Sequence, residues 1–203
     1  MGIFQSWKKE ISENKKVIFF SIIFLIIANF SYQIAGEYVD EVAGVQAQDI
    51  ILDNIPTINL SFFYIYGGIL VLGLLIFYPL FFNVKKFHVS LSQLSLLLII
   101  RSFFITLTHL KVPADAVEIT IPKLYNLMTF NNDLFFSGHT ALPFLGFLMF
   151  RKERIGIFFL VLTFVMMVTV LFMHFHYSID VFAALFITYG SFKIGQWLFK
   201  GID

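Results

Sequence analysis

The chain has 203 residues, of which 59% are hydrophobic and only 13% are charged. Its 28 phenylalanines and this scarcity of charge are typical of an integral membrane protein and exclude a soluble globular domain. The net charge of +1 gives no basis for nucleic-acid binding, and a chain with no cysteine has no disulfide and no thiolate metal site.

Residues 1–16 carry four lysines among apolar residues spaced three and four apart. This pattern predicts a short amphipathic helix on the membrane surface, with its lysines toward anionic head groups. The alternative is a positively charged flank of the span that follows. Residues 17–200 are expected to form the integral membrane domain. A cleaved signal peptide is disfavoured because several further spans follow the first.

Six apolar segments of helical character follow one another: 17–35, 62–82, 89–107, 140–150, 155–173 and 179–199. The fourth is short unless it includes residues before His139. The sequence therefore predicts an all-α, polytopic membrane protein with about six transmembrane helices. Spans three to six are expected to form the functional bundle, with spans one and two packed beside it.

The basic residues predict the orientation of these spans. The N-terminus, the turns at 85–88 and 151–154, and Lys200 lie on one side of a six-span arrangement and hold nearly all the Lys and Arg. The positive-inside rule makes that side cytoplasmic. The acidic interval 37–61 and the two histidine motifs described next are then expected on the non-cytoplasmic side.

The first motif is Asp133-Leu-Phe-Phe-Ser137-Gly138-His139-Thr140, at the start of the fourth span. Ser137 and Gly138 suit the N-terminal cap of a helix and the close approach of an anion. A helix beginning near His139 would direct free backbone N–H groups and its positive dipole end toward that anion. The motif therefore predicts a phosphate site, against the alternative that His139 is an ordinary interfacial histidine.

The second motif is His176-Tyr-Ser-Ile-Asp180, before the sixth span. Histidine and aspartate four residues apart share one face of a helix, where the carboxylate can orient the imidazole and raise its basicity. This spacing predicts a nucleophile or base at His176. The alternative is a structural His176–Asp180 pair that fixes helix packing.

Two further basic residues are candidates for binding a phosphate. Arg101 lies inside the third span, where a charge must find an anion. It can form an ion pair with Asp133 or Asp180, or clamp a phosphate with its planar guanidinium. Lys123 lies in the interval before the first motif, and the alternative for it is an ordinary loop charge.

These motifs carry a resemblance to a known family. SGHT at 137–140 followed by HYSID at 176–180 resembles the paired SGHT and HYTID motifs of sphingomyelin synthases, within the wider lipid phosphate phosphatase (type-2 phosphatidic acid phosphatase) superfamily. Asp133 matches the family's aspartate four residues before the serine, and residues 101–113 are similar to a segment upstream of it. Residues 169–171 lack the arginine-containing motif of the phosphatase branch, which favours the synthase branch.

The chemistry that the two motifs support is phosphoryl transfer through a phosphohistidine. His176, oriented by Asp180, would attack phosphorus, and His139 would protonate the departing alcohol. Backbone N–H groups at Ser137 and Gly138, with Arg101, would hold the phosphate oxygens. No metal and no cofactor are expected.

The resemblance implies a phosphatidylcholine or phosphatidylethanolamine donor and a lipid alcohol acceptor such as ceramide or diacylglycerol. If water is the acceptor, the same residues make a lipid phosphatase or a phospholipase C-like enzyme. A non-catalytic lipid-binding or scrambling protein is the third alternative. The loop 110–132 is expected to select the substrate.

Overall fold

The computed structural model describes residues 2–42, 44–119 and 129–199. These ranges form six α-helices and no β-strand, apart from an isolated bridge between Val45 and Leu110. The helices are α1 (Ile3–Glu41), α2 (Ser61–Phe81), α3 (Phe87–Leu107), α4 (Gly138–Phe150), α5 (Arg154–Phe172) and α6 (Ser178–Leu198). The predicted all-α membrane fold is confirmed.

Five of these helices are long and apolar enough to cross a membrane, and α4 is not. Its 13 residues extend about 20 Å, against the ~30 Å of a hydrocarbon core. The irregular stretch before α4 is largely buried, including Asp133, Leu134, Phe136 and Ser137. Burial inside protein is the condition under which non-helical backbone is tolerated at membrane depth.

The N-terminal part of α1 bends away from the rest of that helix at Asn14, whose φ of −124° and ψ of 18° are not helical. Before the bend, Trp7 Nε1 donates to the carbonyl of Leu80 at 2.9 Å, and the buried Glu10 lies 3.3 Å from His88 Nδ1. This part of α1 therefore contacts the ends of α2 and α3. The boundary between residues 1–16 and 17–200 stays a prediction.

After the bend, α1 packs along α3 through small residues. Ser21, Ala28 and Ala35 are buried at intervals of seven, and Ser21 Oγ lies 2.9 Å from Ser92 Oγ. Small side chains allow two membrane helices to approach closely. Helix α2 packs instead against α5, and the described backbones of α1 and α2 come close at few points.

Helix α4 packs between α5 and α6 in the main hydrophobic core. A side chain at Gly146 would meet the Phe159 ring at 2.4 Å, so α4 and α5 approach as closely as a glycine permits. At one end of the bundle, Lys86 Nζ donates to Glu153 Oε1 at 2.9 Å and to the carbonyl of Met149 at 3.0 Å. Both basic turns therefore lie at the same end, opposite the two histidine motifs.

Candidate active site

The two histidine motifs are joined by a backbone hydrogen bond. The Ser137 N–H donates to the carbonyl of Asp180 at 3.1 Å. Ser137 is the N-cap of α4, which begins at Gly138, so the predicted start of this helix is confirmed. The Ser137 N–H is thus donated to α6, and the role of Ser137 in binding a phosphate stays a prediction.

Arg101 holds the first motif from α3. Its Nε donates to the carbonyl of Phe136 at 2.9 Å, its Nη1 to the Asp133 carboxylate and its Nη2 to the Asp133 carbonyl at 3.3 Å. Tyr32 of α1 donates its hydroxyl to the same carboxylate and lies with its ring 5.5 Å from the guanidinium carbon. Of the two predicted partners for Arg101, the structure shows Asp133.

Gly138 lies against the guanidinium of Arg101. A β-carbon built at Gly138 would lie 3.2 Å from Arg101 Nε and 3.3 Å from its Cζ. A glycine here lets Arg101 reach the N-terminus of α4. A cation and the positive end of a helix are thereby brought together, and an anion would relieve their mutual repulsion.

The second motif departs from the predicted geometry. Helix α6 begins at Ser178, and His176 lies before its N-cap, Tyr177, so His176 and Asp180 do not share a helix face. Asp180 is in the third helical position and accepts the Tyr177 N–H at 3.0 Å. This cap bends the chain so that His176 Nδ1 lies 3.6 Å from Asp180 Oδ2.

The His176–Asp180 distance is that of an ion pair and is longer than a hydrogen bond. Both residues are buried, and neither His176 Nδ1 nor Asp180 Oδ1 has a hydrogen-bond partner among the described residues. Catalytic hydrogen bonds are often long in the absence of substrate and shorten in the complex. The geometry therefore suits the predicted orientation of His176 by Asp180.

A third carboxylate, that of Asp49, caps α6 from the interval between α1 and α2. Its Oδ2 accepts the Ser178 N–H at 2.5 Å, while Oδ1 accepts the N–H groups of Ile51 and Leu52. Burial acts to raise the pKa of Asp49, but these hydrogen bonds outweigh it and lower the pKa below its ordinary value. The acidic interval thus contributes directly to the position of the second motif.

Tyr177 links the same motif to two loops. Its hydroxyl donates to the Lys111 carbonyl at 2.9 Å and accepts the Ala47 N–H at 3.0 Å. Its position beside His176 means that both loops influence where the histidine lies.

His174 ends α5 in a left-handed conformation, with φ of 54°. The His174 N–H donates to the Leu171 carbonyl at 3.0 Å, and the Phe175 N–H donates to the Val170 carbonyl at 3.0 Å. These two hydrogen bonds form a Schellman C-cap. The buried His174 Nδ1 lies 2.7 Å from Asp115 Oδ2, and this hydrogen bond lowers the pKa of Asp115. The turn that leads to His176 is therefore held from the loop after α3.

His139 lies in the first turn of α4 with its ring stacked on Tyr64 of α2. The two ring centroids are 4.0 Å apart and the planes are inclined by 24°. Tyr64 in turn contacts Phe175 edge-on at 4.8 Å. Helix α2 therefore orients His139 and also contacts Phe175, the residue before His176.

His139 and His176 line a single cavity of 440 Å³. Arg101, Asp133 and Gly138 line it as well, so five of the predicted site residues meet there. Ser137 and Asp180 are fully buried behind it, and Lys123 lies outside the described residues. Among the residues that the structure describes, no group of three or more His, Cys, Asp or Glu is placed to hold a metal ion.

The rest of the cavity wall is mostly apolar and includes residues of α1, α2, α3 and α4, so spans one and two line the cavity as well. Sequence reasoning missed Tyr32, Tyr64 and Asp49. A hydroxyl inside an apolar span needs a polar partner, and that signal identifies the two tyrosines as candidates. Asp49 carries no comparable signal because it lies among other loop acids.

Fold and site together define a helical membrane protein in which two histidines line a largely apolar cavity. Residues 132–197 match the family described as PAP2 superfamily C-terminal. This match includes both histidine motifs and supports membership of the chain in the PAP2, or lipid phosphate phosphatase, superfamily of phosphatases and phosphotransferases. No curated protein and no solved structure matched the chain.

Proposed function

We propose that this protein is a membrane phosphotransferase that moves the head-group phosphate of a phospholipid to a lipid alcohol. One observation carries the proposal: His139, His176 and Arg101 line one cavity whose remaining walls are mostly apolar. A phosphate beside the charged residues and hydrocarbon along the rest of the cavity would match a phospholipid.

In the first half-reaction, the lone pair of His176 Nε2 attacks phosphorus and the bond from phosphorus to the lipid alcohol oxygen breaks. His139 as imidazolium gives its proton to that oxygen. Asp180 stabilises the positive charge that develops on the His176 ring, and Arg101 with the first-turn N–H groups of α4 faces the phosphate oxygens.

In the second half-reaction, His139 takes the proton of the incoming hydroxyl. The hydroxyl oxygen attacks phosphorus, the bond to His176 Nε2 breaks, and the product phospholipid leaves. The donor is phosphatidylcholine or phosphatidylethanolamine, and the acceptor is ceramide or diacylglycerol. The apolar cavity walls support a lipid acceptor, and water in its place would make the protein a lipid phosphatase or phospholipase C-like hydrolase.

The decisive experiment incubates purified protein with head-group-labelled phospholipid, with and without ceramide or diacylglycerol, and separates the products by thin-layer chromatography. A new labelled phospholipid that requires the added alcohol supports the transferase. Release of the labelled head-group phosphate alone would identify a hydrolase, and no product would identify a non-catalytic lipid-binding protein.

The nucleophile is tested by quenching turnover with alkaline detergent, in which a phosphohistidine bond survives, and then treating one sample with acid. Wild type should retain an acid-labile phosphate adduct, and His176→Ala should retain none. His109→Ala is a matched control, because His109 is exposed and does not line the cavity. An adduct that persists in His176→Ala would show that another residue is the nucleophile.

We also propose that the site opens on the non-cytoplasmic side, since the basic turns lie at the opposite end of the bundle. Single cysteines can be introduced into this Cys-free chain at Ala114 and Asn131, which are exposed near the site, and at Lys152, which is exposed at the basic end. An impermeant thiol reagent added to intact cells should label the first two and not the third. The reverse pattern would invert the proposed orientation.

A further inference from the structure

One face of α1 borders the cavity. Five residues spaced as one helical face contribute to its wall: Leu25, Ile26, Asn29, Tyr32 and Gln33. The neighbouring face, with Ser21, Ala28 and Ala35, is buried against α3. The cavity-facing side of α1 is therefore distinct from the side that packs along α3, although Tyr32 on it also bonds Asp133.

Asn29 is the unusual member of this face. It is exposed and forms no hydrogen bond with the described residues, although it lies in the interior of a membrane-spanning helix. A carboxamide in contact with hydrocarbon alone loses its hydrogen bonds to water and gains none. Because Asn29 lies on the cavity wall, its carboxamide can hydrogen-bond a ligand inside the cavity.

The depth of Asn29 identifies what that partner is. Tyr32 bonds the Asp133 carboxylate, which pairs with Arg101, so Tyr32 marks the phosphate end of the cavity. Asn29 lies three residues, about 4.5 Å along the helix axis, further toward the basic end of the bundle. Beyond Asn29 this face of α1 presents Leu25 and Ile26.

Along α1 the cavity therefore presents a phosphate end, then a carboxamide, then apolar side chains. The chemical groups of a two-chain lipid follow one another in the same order, starting from its head group. A phosphate is followed within a few covalent bonds by the ester, amide or hydroxyl oxygens of the backbone, and then by the hydrocarbon chains. A carboxamide both donates and accepts hydrogen bonds, so it can bind any of those backbone groups.

The gap between α1 and α2 provides access from the membrane. These helices both line the cavity, and their described backbones come close at few points although the Tyr32 and Tyr64 side chains interact. Ile26 at the cavity wall is 63% exposed. A lipid can therefore enter between α1 and α2 without leaving the bilayer.

We infer that Asn29 is a substrate-positioning residue whose carboxamide hydrogen-bonds the backbone carbonyl or hydroxyl of a two-chain lipid that enters between α1 and α2. The inference rests on the proposed lipid chemistry of the same cavity. It adds a binding contact that holds the backbone of the lipid between the phosphate end of the cavity and its apolar walls.

Occupancy is tested without turnover, by thiol protection. Asn29→Cys in the detergent-solubilised Cys-free chain is reacted with N-ethylmaleimide alone, or with added diacylglycerol, phosphatidylethanolamine or hexadecane. Ile27→Cys is the control, because Ile27 is 53% exposed and does not line the cavity. Diacylglycerol or phosphatidylethanolamine should slow labelling of the Asn29→Cys variant at least fivefold and leave labelling of the Ile27→Cys variant unchanged.

Protection by diacylglycerol identifies the lipid alcohol as the occupant, and protection by phosphatidylethanolamine identifies the donor. Equal protection by hexadecane, or equal effects at both positions, would overturn the inference. This readout is independent of catalysis, so it stands or fails separately from the proposed transferase activity.

The hydrogen bond itself is tested by Asn29→Leu and Asn29→Gln. A bond of ordinary strength corresponds to about fivefold to tenfold in affinity. Asn29→Leu should weaken diacylglycerol binding and raise KM by that factor with kcat little changed, whereas Asn29→Gln should recover part of the loss. Unchanged binding in Asn29→Leu would overturn the role of the carboxamide.

Discussion

The two histidine motifs meet at one cavity but are held there by different interactions. The first is held by charged and hydroxyl side chains from other helices, where Arg101 and Tyr32 converge on Asp133. The second is held by backbone N–H groups that donate to the carboxylates of Asp49 and Asp180. Removing one partner of a buried ion pair leaves the other charge buried without compensation, which strongly destabilises the protein. Removing a capping side chain costs a helix about one hydrogen bond. Substitutions that break the Arg101–Asp133 pair should therefore act mainly on stability, and replacement of Asp180 mainly on turnover.

The largest effect is expected from breaking the Arg101–Asp133 pair. Arg101→Met leaves the buried Asp133 carboxylate without its cation and should cost about 3–5 kcal/mol of stability, measured by thermal unfolding in detergent. Asp133→Leu combined with Arg101→Met should recover most of that loss, because neither charge is then buried alone.

Turnover of this double variant separates the two predicted roles of Arg101. Recovery of stability without activity would support a contact between Arg101 and the phosphate. Recovery of both would leave Arg101 with a structural role only. If the single and double variants are equally unstable, the two side chains are not energetically coupled.

The next effect is expected from Asp180→Asn. Asparagine keeps an oxygen to accept the Tyr177 N–H, so α6 should remain capped and the protein should purify normally. Loss of the charge should lower turnover by roughly 10² or more, less than the 10⁴ seen for the equivalent change in the serine-protease triad. Asp53→Asn, at an exposed loop carboxylate, serves as the control. Activity above about a tenth of wild type would make Asp180 a structural residue.

Gly138→Ala tests how closely the first motif is fitted to Arg101. The added methyl group would lie 3.2 Å from Arg101 Nε and displace the guanidinium by a few tenths of an ångström. Because small misplacements of a catalytic group cost up to about 10² in rate, we expect about a tenfold loss of kcat/KM. Gly190→Ala in α6, with no atom within 4 Å of its new methyl group, should retain full activity. A fully active Gly138→Ala enzyme would show that Arg101 need not approach α4.

The smallest effect is expected from Asp49→Asn, which weakens the cap of α6 by about 1 kcal/mol near neutral pH. The folded-state pKa of Asp49 is below its ordinary value of 3.8, so its contribution is fully present above that value. The contribution is lost as the pH falls through the lowered pKa. Melting temperatures of wild type and variant should therefore differ at pH 5–8 and converge in stronger acid. A constant difference down to the lowest pH would mean that the charge of Asp49 is not involved.

Much of the molecule was predictable from local pattern. Hydrophobic length identified five of the six helices to within two residues, because a membrane helix satisfies its own backbone hydrogen bonds and depends little on distant residues. Helix α1, at Ile3–Glu41, extends well beyond the predicted 17–35 at both ends. The start of α4 after Ser137 was predicted from the residue types Ser137 and Gly138, although the Ser137 side chain makes no capping hydrogen bond. Only the tertiary structure decided which residues surround the histidines. Tyr32, Tyr64 and Asp49 lie far along the chain from the motifs they contact, and local pattern carries no information about such pairs.

The His176–Asp180 pair shows the same limit at short range. Spacing alone correctly indicated that the two side chains lie close together, but it attributed this to a shared helix face. In the structure α6 begins only at Ser178, and the capping hydrogen bonds of Asp180 and Asp49 bring His176 back over the first turn. Composition and spacing thus determined the class of fold and the chemical groups of the site. The position of those groups depended on hydrogen bonds and packing between segments distant in the chain, whose geometry exists only once the helices have assembled.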